Sequence, residues 1–168
     1  MFELSRQGRT AVRLVPDRIV ALQAEVKGCL AQHGVEPGVA VAHECAAFVF
    51  WSVHVGIVNA RTSELDRWVS RRMLNRVIRR SDPEIGALYA RRCQEALAAT
   101  PNIYLYRGKR GEPELPVTHA TVRLFLRKLT GMRFAATADV VQDLLDVLRT
   151  AFWSWVGAMN PHLRTSFP

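Results

Sequence analysis

From Val39 to Ala60 the chain reads VAVAHECAAFVFWSVHVGIVNA, 22 residues in which Glu44 is the only formal charge. A segment this apolar has to be covered on nearly every side, so whatever the rest of the chain does must include enclosing it. Pro37 and Gly38 precede it and Arg61 follows, which marks both ends. As a helix it runs about 33 Å at ~1.5 Å per residue, and other helices must then surround it.

Two other conformations compete. The uncharged run from Cys45 to Ala60 is 16 residues and carries Ser52, His54 and Asn59. That is short of the ~18–20 apolar residues a bilayer span requires, so no membrane crossing is expected. Phe48 to Val58 is rich in β-branched and aromatic residues and would also suit a buried strand. The alanines at 40, 42, 46 and 47 favour the helix, which is the expectation adopted, with the strand as its alternative.

The other segments supply helices to pack around this one. Asp17 to about Gln32 places Ile19, Leu22, Val26, Cys29 and Leu30 on one face and stops at Gly34. Ser63, followed three residues on by Asp66, is a capping pattern that starts a helix running to the arginines at 79 and 80. Ser81 to Glu84 repeats the signal with Pro83 in the first turn, opening a helix to about Ala99. Further helices are expected at 118–130 and 138–159, the last with Asp139, Asp143 and Asp146 on its outer side. Between them, 101–116 breaks the helical pattern and reads as a small extended or hairpin excursion with Lys109 and Arg110 at its tip. Residues 1–15 read as an arm or short strand ending at Pro16, and 160–168 as a polar tail. The expected fold is therefore mainly α, one domain of about six helices bundled around 39–60, a size that 168 residues support without staples.

The net charge of +8 is unevenly placed. Residues 61–92 hold nine arginines against four acids, and 107–133 hold seven basic residues against two acids; the remainder of the chain is slightly acidic. Such segregation fits an anionic partner, although a basic surface also serves solubility. The amino terminus has no apolar h-region, and Cys29, Cys45 and Cys93 are odd in number and widely spaced. Both features point to the cytoplasm and to reduced thiols.

Candidate chemistry concentrates in His43, Glu44, Cys45 and His54. In a helix His43 and His54 share a face but stand ~16 Å apart along the axis, too far to hold one ion, and His43–Glu44 lacks the HExxH arrangement. No metal is expected, since zinc needs three or four convergent ligands. Glu44 requires a cation or donor: it is expected either to pair with an arginine from a neighbouring helix or to lie near the exposed helix start where solvent reaches it, and a pocket acid is the functional alternative. No GxSxG, CxxC or P-loop occurs, and GKRG at 108–111 lacks the spacing of a phosphate-binding loop. No catalytic residue and no cofactor is therefore assigned.

The arginines of the 64–80 helix carry the functional expectation. Arg72, Arg76, Arg79 and Arg80 share one side with Trp68 at its edge, and Arg71 flanks them. Within their own helix Arg72, Arg76 and Arg80 have no acid at i+4, so they repel one another unless phosphates, an acidic protein or the acidic stripe of 138–159 lies along them. The expected role is non-enzymatic: binding of nucleic-acid backbone without sequence reading, as a small subunit or accessory factor of a nucleoprotein assembly. Lys109, Arg110, Arg123, Arg127 and Lys128 would extend the basic face. The alternative is an adaptor or inhibitor whose arginine face docks on an acidic protein surface. An oligomer or larger complex is expected from Trp153, which lies ~200° from Trp155 on a helix and would then face outward as a partner contact.

Overall fold

The computed structural model describes residues 2–38, 40–60, 62–99 and 139–160. Among these residues there are six helices and no strand: α1 (Phe2–Arg13), α2 (Val15–Gln32), α3 (Val41–Asn59), α4 (Glu64–Arg80), α5 (Pro83–Ala99) and α6 (Asp139–Met159). The excursion expected at 101–116, the helix at 118–130 and the tail beyond Asn160 lie outside the described residues.

The apolar stretch is a helix throughout, so the strand alternative for 48–58 is overturned. Phe48, Val49, Phe50, Trp51, Val53 and Val55 are all fully buried, on every side of α3. Each of the five other helices touches it. α5 reaches neither α2 nor α6, so α3 stands between α5 on one flank and the α2–α6 pair on the other. Two polar side chains of α3 bond to their own helix: Ser52 Oγ donates to the Phe48 carbonyl at 2.8 Å, and Asn59 Nδ2 to the Val55 carbonyl at 2.9 Å. Length and apolarity alone would let Val41–Asn59 cross a membrane, but 78% of its most apolar window is buried within the bundle.

Residues 2–13 are helical, a correction to the expected arm. Gly8 and Pro16 look like breakers in the sequence, and each has a different use. A Cβ on Gly8 would stand 2.6 Å from Ser70 Oγ, so glycine there lets α1 lie close against α4. Pro16 sits in the first turn of α2, where its missing N–H matters little. The backbone bonds Leu14 N to Thr10 O (3.1 Å) and Arg18 N to Leu14 O (3.0 Å) carry the chain almost unbroken from α1 into α2. Ala11, Val12 and Val15 are buried at this joint.

The ends of α2 and α4 follow their sequence signals. Gly34 has φ 67° and donates to the Ala31 carbonyl, while Val35 N donates to Leu30 O at 2.9 Å, the paired bonds of a Schellman stop. Ser63 Oγ accepts from Asp66 N at 3.1 Å, which caps α4. At the end of α6, Asn160 is fully buried and its Nδ2 donates to the Val156 and Gly56 carbonyls, both at 3.0 Å. That residue belongs to the fold, tying α6 to α3, and not to a polar tail.

Candidate nucleic-acid interface

The four residues of the apolar stretch with chemical potential go four separate ways. His43 lies near the surface, with Nδ1 3.8 Å from Glu84 Oε2. Glu44 meets Arg92 of α5 in a two-point pair, Nε to Oε2 at 2.9 Å and Nη2 to Oε1 at 2.6 Å, both side chains buried. The remaining Arg92 nitrogen, Nη1, donates to Glu95 at 2.6 Å. Hydrogen bonding to Glu44 is the main reason the Arg92 guanidinium is held even more firmly protonated. Cys45 is sealed in the core, where burial first and the Glu44 carboxylate second push its thiol up to about 12. His54 Nδ1 lies 2.7 Å from the Tyr89 hydroxyl, and burial, with the Arg71 charge secondary, lowers its pKa. Among the described residues no three His, Cys, Asp or Glu side chains are grouped to hold a metal ion.

Among the described residues, several basic side chains outside α4 have partners within the fold. Arg92 is neutralised as above, Arg18 lies over the Trp155 ring at 5.5 Å, and Arg149 sits 3.7 Å from Asp146 on its own helix. Arg67, in the second turn of α4, donates to the Ala60 carbonyl at 3.2 Å. Further along the helix the pattern changes. Arg71, Arg72, Arg76, Arg79 and Arg80 are all exposed, and among the described residues none stands within 4 Å of a carboxylate.

The reason is where the apolar residues of α4 fall. Ser70, Leu74 and Ile78 are buried, with Met73 and Val77 packed beside them, which turns the opposite side to solvent. Leu65, Trp68, Arg72, Arg76 and Arg79 follow at steps of three and four, so they line that outer side. Arg71 is displaced toward the flank, close enough to act on His54. Arg79 and Arg80 lie in the last turn, where cations complement the helix dipole; Arg72 and Arg76 lie mid-helix and have no such compensation. Arg72 does have one neighbour, with its Cζ 5.1 Å from the centre of the Trp68 ring.

The acidic stripe of the last helix does not neutralise this face. α4 and α6 make no contact, Asp143 accepts from His33 Nε2 at 2.7 Å, and Asp146 faces Arg149. Of the other sequence-assigned binding residues, Lys109, Arg110, Arg123, Arg127 and Lys128 lie outside the described residues. Trp153 is half-buried and meets Phe152 edge-on at 5.2 Å, so only part of its indole is left for a partner. Trp68 is the exposed tryptophan, at 49%. Its position one turn before Arg72 was visible in the sequence; its exposure depends on which side of α4 faces α3.

The class of protein that these features define is an all-α bundle with a central buried helix and a basic outer helix. No family model, curated protein or solved structure matches the chain.

Proposed function

We propose that this protein binds nucleic-acid backbone through the outer face of α4, without a catalytic step, as a small subunit or accessory factor of a nucleoprotein assembly. One observation carries the reading: five arginines of α4 are exposed with no carboxylate in ion-pair reach among the described residues, while Arg18, Arg67, Arg92 and Arg149 have contacts within the fold. Like charges one turn apart on a helix repel, and a partner bearing phosphates removes that cost while gaining charge-assisted hydrogen bonds. From Arg72 to Arg80 the row spans about 12 Å at ~1.5 Å per residue, enough for two or three successive phosphates. A cytoplasmic location accords with the buried thiols of Cys29 and Cys45.

Substituting Arg72, Arg76 and Arg80 together by Glu tests the reading. The expected result is unchanged helical content, a nearly unchanged melting point and loss of binding to random DNA or RNA, with wild-type affinity falling steeply as salt rises. Failure of the triple variant to fold would make the arginines internal pairing groups. Absence of nucleic-acid binding by wild type at low salt, with retention on polyglutamate, would make the partner an acidic protein surface.

A further inference from the structure

We infer that the nucleic acid this face takes is single-stranded, with a base stacked on Trp68 and the following phosphates on Arg72, Arg76 and Arg79; the inference rests on the backbone-binding reading above. Trp68 leaves 49% of its surface to solvent although it is the residue with most apolar area to hide on α4. It stands at the head of the arginine row, one turn before Arg72, whose guanidinium lies against the ring at 5.1 Å. Leu65, one turn further back, is 68% exposed and prolongs the apolar end of the stripe. The order along the outer side is thus apolar, aromatic, then three cations, each about one turn from the next.

That order suits a strand whose bases are free. A duplex offers phosphates to the arginines, but its bases are stacked inside, and an indole on the convex side of a helix has no base face to meet. A single strand exposes a π-face on every base, and aromatic platforms beside a basic track are the means by which such strands are held without sequence preference. The charge order also sets the course of the strand. Glu64 and Asp66 occupy the first turn of α4, so phosphates are repelled there and drawn toward the Arg72–Arg80 end, leaving Trp68 at the boundary where a base, not a phosphate, fits. Arg72 serves both: its planar group can stay on the indole and still donate at its edge.

The test compares the full-length protein with its Trp68→Ala and Trp68→Phe variants by fluorescence anisotropy of labelled 20-nucleotide dT and U strands and a 20-base-pair duplex. Wild type should bind the single strands at least about tenfold tighter than the duplex. Trp68→Ala should weaken single-strand binding by between about 5- and 150-fold, the range one base–aromatic stack supplies, and leave duplex binding unaltered. Trp68→Phe should restore part of the loss. Equal binding of strand and duplex, with no effect of Trp68→Ala on either, overturns the stacking inference and leaves the backbone reading standing. No binding to any of the three probes overturns both. A preference for U over dT of more than about tenfold would identify RNA as the source of the strand, through its 2′-hydroxyl.

Discussion

Arg92 and Glu44, on α5 and α3, are joined by two parallel hydrogen bonds of 2.9 and 2.6 Å with both side chains about 95% withdrawn from solvent. The pair explains how the least polar helix of the chain tolerates a carboxylate. Glu44 enters the core only because α5 delivers a planar donor to it, and Glu95 takes the nitrogen left over.

Removing one partner should therefore cost more than removing both. Arg92→Met leaves Glu44 buried and unpaired and is expected to destabilise the fold by about 3–5 kcal/mol. The double variant Glu44→Met with Arg92→Met should recover most of that loss. Urea unfolding of the two single variants and the double variant measures the coupling; additive losses would mean the pair is not a unit.

His54 predicts a pH dependence of stability. Burial, and secondarily Arg71, hold its folded pKa below the ordinary 6.5, so below that pH the unfolded chain takes up a proton that the folded one refuses. Stability is then full above pH ~6.5 and falls as pH drops toward the folded value, because the unfolded state binds more protons in that window. Urea unfolding at pH 7.5 and pH 5.5 should show this loss, and His54→Asn should show less of it. An equal pH dependence in the variant would place the titrating group elsewhere.

Gly56 lets α6 close onto α3. A Cβ there would collide with Met159 Cε and lie 3.6 Å from the Val156 backbone, and the Gly56 carbonyl accepts from Asn160. Gly56→Ala should lower stability by about 1–3 kcal/mol. Combined with Met159→Ala the loss should be less than the sum of the two, since the side chain that is struck is gone. A strictly additive pair would mean that the backbone, and not Met159, is what the methyl meets.

Lys109 and Arg110 bear on the extent of the basic surface. Their replacement by Ser should weaken nucleic-acid binding and lower the slope of log affinity against log salt by up to about two, roughly one per lost phosphate contact. An unchanged slope confines binding to α4.

The elements legible in the sequence are those with local causes. α3 follows from an apolar run that leaves no polar side, and α4 from the Ser63–Asp66 cap and the period of Leu74 and Ile78. α1 was not legible because Gly8 and Pro16 are breakers by type, and only the approach of Ser70 and the register of the α1–α2 joint give them helical uses. The arginine face was legible as a stripe, but whether acids answer it is a question of which helices touch. The sequence could not separate the pairing of Asp143 with His33 from a pairing with α4. How far Trp153 is covered was not legible for a related reason: periodicity gives a helix one inner side, whereas α6 touches α1, α2 and α3 and so is covered over more of its circumference.

The central position of α3 has a consequence for how the chain is made. α3 is complete at Asn59, but α6, which lies along it and shuts Gly56 against Met159, begins at Asp139, 80 residues later. At ~5–20 residues per second, a ribosome leaves that surface without its final cover for roughly 4–16 s. During synthesis this apolar helix thus emerges well before the helix that completes its cover. Nascent chains halted before α6 should be held by chaperones, and released chains of that length should be found in the insoluble fraction.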